Sequence, residues 1–165
     1  MIVIGYQGIG KSTLCYNDNN NILRYLDLES SSFFDDNGKR PDDWYIYYCN
    51  VAEHLSRQKF IVFVSSHEVV RNRLFKSSEN VVCVFPSEKL KDEWIKRLEF
   101  RYQTTKLEKD YKAWQNSLDN YDNNIADLKK SGFPCIEISS MDYSLKDLIV
   151  DYEIYLLSHK IKENK

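Results

Sequence analysis

The chain predicts an α/β fold, a five-stranded parallel sheet sandwiched by helices. Three observations carry that expectation. Short apolar runs alternate with helical patterns, the signature of a buried parallel sheet covered on its faces. There are five such runs: Ile2 to Ile4, Ile22 to Leu28, Phe60 to Val64, Val81 to Phe85 and Cys135 to Ile138. The first of them leads straight into a glycine-rich stretch, Gly5-Tyr6-Gln7-Gly8-Ile9-Gly10-Lys11-Ser12-Thr13. At 165 residues the chain suits one domain with a sizeable core and is too short for two ordinary ones. No repeat and no Pro/Ser-rich linker divides it, so residues 1–165 are read as a single domain.

Within the glycine-rich stretch, Gly5, Gly10, Lys11 and Ser12 meet every fixed position of G-x-x-x-x-G-K-[ST], with a strand before and a helix start after, the context that motif demands. A phosphate chain can be wrapped by backbone N–H groups, that of Ile9 among them, only where the loop turns tightly and no Cβ blocks the approach. Gly5, Gly8 and Gly10 meet that need. Lys11 offers a point charge to the outer phosphates, and the Ser12 hydroxyl is a hard oxygen suited to Mg²⁺. Thr13 adds a further hydroxyl, and the helix that follows directs its positive end at the anion. On these residues the chain resembles the P-loop nucleoside triphosphatase superfamily, and the resemblance is specific over residues 1–13. It implies the corresponding fold, ATP as ligand and Mg²⁺ as cofactor.

The first helix is read from Lys11 to about Tyr16, ending in the Asn-rich run of residues 17–21. The second strand closes with Asp27 and Glu29, two carboxylates at alternate positions and hence on one side, at the carboxyl edge where open α/β sheets bind ligands. Residues 30–40 are polar and turn-like. Pro41-Asp42-Asp43 opens a helix with an apolar stripe of Trp44, Tyr45, Tyr47, Tyr48, Val51 and Leu55. The third strand runs into Ser65-Ser66-His67 with no closing Asp, which puts His67 at the ligand edge. Arg71, one helical turn later, can face the same cleft, whereas Arg73 points elsewhere. The fourth strand stops at Pro86, and Ser87 caps a helix that carries Leu90, Trp94, Arg97, Leu98 and Arg101, with both guanidiniums on one face. Leu107, Tyr111, Trp114, Leu118, Tyr121, Ile125 and Leu128 then recur at spacings of four and three, a long amphipathic helix. It packs on its own domain or on the helix before it, or forms a homodimer contact across residues 107–128. A last helix, from about Ser144 to Lys160, turns Leu145, Leu148, Ile149, Tyr152, Tyr155 and Leu156 inward.

The layout as a whole is similar to the nucleoside monophosphate kinase and shikimate/gluconate kinase-type branch of that superfamily, strand order included. Asp27-x-Glu29 resembles the D-x-D that shikimate- and gluconate-type kinases carry after their second strand, with Glu in place of the second Asp. The resemblance makes Asp27 the residue that handles the acceptor hydroxyl and, with Ser12, the metal. It makes residues 30–58 an acceptor-binding segment, in which Lys39 and Arg40 would hold an acceptor phosphate and one of Phe33, Phe34, Trp44 or Tyr48 would stack on a base. Residues 87–131 become a lid plus the long helix, and Arg97 and Arg101 neutralise the phosphoryl group in transfer. The expected activity is therefore transfer of the ATP γ-phosphoryl group to a small acceptor, with a nucleoside or deoxynucleoside monophosphate as the best guess. Lys11, Asp27, Arg97 and Arg101 are the expected catalytic set, and Glu29, Arg40, His67 and Arg71 the acceptor set. The alternative is a slow NTPase or non-kinase nucleotide-binding protein that acts through a protein partner.

Composition narrows the classes further. Lys and Arg number 23 against 25 Asp and Glu, so no whole-chain field favours nucleic acid or a membrane surface, and any anion site must be local. With 12 Tyr, 8 Phe and 3 Trp against few Gly and Pro, the chain fits neither disorder nor a disulfide scaffold. Cys15, Cys49, Cys83 and Cys135 lack metal-ligand spacing, and Cys83 and Cys135 fall inside strand-like runs as small hydrophobes. Scattered thiols, no signal peptide and no apolar run of about 18 residues give the expectation of a cytoplasmic protein.

Overall fold

The computed structural model describes residues 1–17, 24–35, 37 and 39–163, with the backbone alone for 160–163. In chain order the elements are β1 (Ile2–Gly5), α1 (Lys11–Asn17), β2 (Tyr25–Asp27), a 3-10 turn over Ser30–Phe33, α2 (Trp44–Arg57), β3 (Ile61–Ser65), α3 (Glu68–Leu74), β4 (Val81–Pro86), a second 3-10 turn over Glu88–Leu90, α4 (Lys91–Thr105), α5 (Glu108–Lys129), β5 (Cys135–Ile138) and α6 (Leu145–Glu163). The five strands form one sheet in the order β2-β3-β1-β4-β5, and every neighbouring pair is parallel. The three central strands read Ile-Val-Ile-Gly, Ile-Val-Phe-Val-Ser and Val-Val-Cys-Val-Phe-Pro and are buried nearly throughout, as a strand must be when helices cover both its faces. Asn19 to Asn21 and the expected first strand residues Ile22 and Leu23 lie outside the described residues.

Strand order places the ligand edge. The chain leaves β1 toward β2 on one side of the sheet, then returns through β3 and crosses to β4 and β5 on the other. Right-handed crossovers therefore put α1 on one face and α2, α3 and α5 on the opposite face. The contacts agree: α1 touches α6, whereas α2 packs on α3, β1 and β3, and α5 packs on α4 and β4. The carboxyl end of β1 thus lies where adjacent connections diverge, the switch point at which a crevice opens in such sheets.

Several local expectations give way. Pro41 to Asp43 form a turn that precedes α2, with the Trp44 N–H on the Pro41 carbonyl at 3.1 Å. Ser87 leads into the 3-10 turn before α4 and makes no side-chain cap; its carbonyl accepts the buried Tyr121 hydroxyl at 2.8 Å instead. Cys83 is buried as expected, but Cys135 is exposed on the edge strand. In α6, Leu145 and Ile149 are buried and Tyr155 turns outward.

The long helix α5 departs most from its pattern. Tyr121, Ile125 and Leu128 enter the core, yet Leu107, Tyr111 and Leu118 are exposed, and Asp110 and Ser117 are buried in their stead. A 3.5-residue seam drifts around a straight helix of 3.6 residues per turn, so the apolar stripe and the buried stripe coincide only in the C-terminal half. The N-terminal half leans on α4 through Trp114, whose ring stacks on Tyr102 at 5.9 Å.

Candidate functional site

The loop between β1 and α1 owes its shape to two glycines. Gly8 and Gly10 adopt φ of 84° and 93°, values that L side chains avoid. Gly8 is also crowded: a Cβ there would lie 2.9 Å from Leu98 Cδ2 and 3.2 Å from Trp94 Nε1. Three distant elements clamp the loop. From α4 the Trp94 indole donates to the Gln7 carbonyl at 2.9 Å. From the segment before α6, the Tyr143 hydroxyl donates to the Ile9 carbonyl at 2.9 Å. The Gln7 amide reaches α5, where it donates to the Ala113 carbonyl at 2.8 Å and to Ser117 Oγ at 2.6 Å. Tyr6 and Ile9 are buried beneath. Such a loop is held in place before any ligand arrives.

Lys11 folds back so that its ammonium donates to the Gly5 carbonyl at 3.2 Å. Desolvation pulls its pKa below the usual lysine range, the nearby Asp27 and Glu29 carboxylates pull the other way, and the Arg101 guanidinium adds to the lowering. Asp27, Glu29 and Arg101 thus all lie within electrostatic reach of Lys11. Ser12 Oγ donates to Asp27 Oδ2 at 2.6 Å, which joins the two residues expected to hold Mg²⁺. Both are hard oxygen donors on an open edge. A cation that keeps several of its waters and takes phosphate oxygens fits two such ligands, and among the described residues no cluster of three or more His, Cys, Asp and Glu offers a rival site.

The second side of the cleft is built from the β2–α2 connection. Glu29 stands exposed at its start, with Lys109 of α5 at 3.3 Å from its Oε1. The Arg40 guanidinium lies between the rings of Phe34 and Trp44, 4.3 Å and 4.4 Å from their centroids. Its Nη2 donates to Ser30 Oγ at 3.1 Å, and its Nη1 lies 3.3 Å from His67 Nε2. Desolvation first, then Arg40, Arg71 and Lys11, hold the His67 pKa below the ordinary imidazole value, so His67 is neutral at pH 7 and accepts from Arg40. Three of the four rings expected to offer a stacking face are packed into the fold. Trp44 and Tyr48 are buried, Phe33 packs edge-on to Tyr48 at 5.5 Å, and Phe34 alone of the four stays exposed. Tyr48 ties the strand ends together, donating to the Leu28 carbonyl at 2.6 Å and accepting from the Ser65 N–H at 2.9 Å.

Arg97 and Arg101, one turn apart on α4, have different partners. Arg97 sits over the rings of Trp94 and Tyr143, 5.2 Å and 5.5 Å from their centroids, and so beside the two side chains that grip the loop. Arg101 pairs with Asp110 at 2.8 Å. Arg71 donates to the Ser66 carbonyl and lines a groove of about 440 Å³ with Glu68, Asn72, Asp127 and Lys130, on the α3–α5 side. Arg71 nevertheless stays within electrostatic reach of His67. Arg73 is bound to Glu53 at 3.1 Å and points elsewhere, as its spacing predicts.

The chain matches no model of a known protein family, and no curated protein is similar to it. No described helix is long and apolar enough to cross a membrane. Sequence reasoning missed Gln7, Trp94, Ser117 and Tyr143 as loop supports, and Lys109 and Asp110 as partners of Glu29 and Arg101. One signal was present for two of them: Asp110 and Ser117 are polar residues seven apart, at the buried phase of a long helix.

Proposed function

We propose that the chain is a P-loop kinase, which binds ATP and transfers its γ-phosphoryl group to a small acceptor, a nucleoside or deoxynucleoside monophosphate being the best candidate. One observation carries the reading. The glycine loop, preorganised at the switch point, puts Lys11 beside the Ser12–Asp27 pair. The all-parallel five-stranded sheet flanked by helices is compatible with the reading.

In this reading the loop amides and Lys11 bind the phosphate chain, and Ser12 and Asp27 hold Mg²⁺ directly or through its waters. A metal held there would supply neutralisation of the phosphate charge. Asp27 orients the acceptor's attacking oxygen, and takes its proton where that oxygen is a hydroxyl, Arg97 and Arg101 meet the charge that develops on the moving phosphoryl group, and Arg40 with His67 receives the acceptor's anionic group. The acceptor oxygen bonds to the γ-phosphorus as the bond to the ADP oxygen breaks. Positioning and electrostatics supply most of the rate in such chemistry.

The test is ADP formation from Mg-ATP, alone and with a panel of nucleoside and deoxynucleoside monophosphates, nucleosides and sugar acids. Stimulation by one class, abolished in Lys11→Ala, is the expected result. A flat panel in a protein that Mg-ATP nonetheless protects from melting would overturn the kinase. It would favour the second reading, a nucleotide-binding protein that acts through a partner, for which the exposed Tyr111 and Leu118 on α5, with Leu107 just before it, provide a contact surface.

A further inference from the structure

Asp110 is a carboxylate only 4% exposed in the corner between α4 and α5. Its Oδ1 lies 2.8 Å from Arg101 Nη2, and its Oδ2 accepts from Thr105 Oγ1 at 2.6 Å. The corner is shaped around it. Thr105 ends α4, Lys106 turns the chain at φ 55°, and the Leu107 N–H returns to Thr105 Oγ1 at 3.3 Å. Asp110, in the first turn of α5, thereby reaches back to a residue one helical turn before Thr105.

A buried carboxylate costs several kcal/mol unless it is paired, and adhesion between the two helices does not require one. Tyr102 of α4 already meets Tyr111 at 5.2 Å and Trp114 at 5.9 Å. The ion pair acts on the guanidinium instead. Arg101 keeps part of its surface in solvent, its Nε–H has no partner among the described residues, and its charge is felt at Lys11. A flexible arginine has many rotamers to lose, and a planar fork held by one edge presents its other N–H groups in a fixed direction.

We propose that Asp110 is a positioning residue. It grips one edge of the Arg101 guanidinium and thereby aims the remaining N–H groups at the phosphoryl group carried by the glycine loop, while Thr105 steadies the carboxylate. The inference rests on the phosphotransfer reading above, and its consequence is specific. Asp110 matters for the planar phosphoryl group in flight and little for the bound nucleotide.

The experiment compares the full-length protein with Asp110→Asn, Arg101→Lys and the double variant. It measures affinity for Mg-ADP and for Mg-ADP with aluminium fluoride, a planar stand-in for the moving phosphoryl group. Expected is an unchanged Mg-ADP affinity in all variants. The preference for the fluoride complex should fall by up to about 10²-fold, the scale on which a misplaced group costs rate. It should fall no further in the double variant, because Asp110 acts only through Arg101. Thr105→Val releases Oδ2 without stranding a charge, and it should cause a smaller loss of the same kind. If Asp110→Asn does not fold, that variant carries the test. Additive losses, or an intact preference in Asp110→Asn, would overturn the brace and leave the phosphotransfer reading standing. Absence of Mg-ADP binding in the unmodified protein, indistinguishable from Lys11→Ala, would overturn both.

Discussion

The two walls of the cleft are built differently. On the glycine-loop side, residues 6–9 are fixed by side chains from α4, α5 and the segment before α6, elements that lie roughly 85 to 135 residues further along the chain. On the β2–α2 side, many of the bonds are local. Asp35 caps the N–H groups of Asn37 and Lys39, Ser31 reaches Glu29, and Arg40 rests on Phe34 and Trp44. A wall tied down by distant partners opens only with larger parts of the fold, whereas one held by neighbours can rearrange at small cost. In the proposed kinase that difference matches the tasks: phosphate transfer needs fixed geometry, and an acceptor must enter and leave.

The largest effect expected from breaking this contrast is on turnover. Lys11→Ala should reduce ADP formation on the order of 10²- to 10³-fold, as loss of a preorganised cationic or donor group does, and should erase the melting shift caused by Mg-ATP. Because burial lowers the Lys11 pKa, the unliganded variant should melt no lower than the unmodified protein. A drop in its melting temperature would mean that Lys11 is part of the scaffold.

Next comes the rigid wall itself. Gly8→Ala forces a Cβ toward Leu98 at a φ of 84° and should destabilise the fold by about 1–3 kcal/mol in urea unfolding. Trp94→Phe removes the bond to the Gln7 carbonyl and should cost about 1 kcal/mol. Equal stability in both variants would show that the loop is not clamped.

The adaptable wall should respond in substrate affinity. Arg40→Ala is expected to change stability by no more than about 1 kcal/mol and to raise KM for the acceptor while KM for Mg-ATP stays put. Parallel changes in both constants would merge the two walls into one site.

A smaller effect is set by pH. His67 is held below its ordinary pKa in the fold, so the unfolded chain takes up a proton first as pH falls. Stability is full above about pH 6.5 and declines below it until the folded-state imidazole also titrates. His67→Gln should flatten that part of the stability–pH curve, and an unaltered curve would contradict the shift. Smallest of all, Leu118→Lys on the exposed side of α5 should move stability by less than about 0.5 kcal/mol. A larger loss, or loss of a dimer in sedimentation, would reveal that this face is covered.

Much of the local structure was legible. Five apolar runs match the five parallel strands, and the three central ones were the plainest, because a strand covered on both faces has no polar side to show. The loop was legible because tight turning around an anion leaves few residue choices at Gly8, Gly10, Lys11 and Ser12. Asp27 could be placed at the carboxyl edge by alternation, and its partner Ser12 by the same edge.

The pairings were not legible. Nothing in the order of residues says that Gln7 reaches Ser117, that Glu29 meets Lys109, or that Arg40 rather than a ligand lies between Phe34 and Trp44. These depend on how helices pack over the sheet, and a rotation of α5 by a fraction of a turn exchanges Asp110 and Ser117 for Leu107 and Leu118 in the interior. Periodicity is a property of each segment and survives in the sequence. The relative rotation of segments comes from close packing of all layers at once, and only the folded chain decides it.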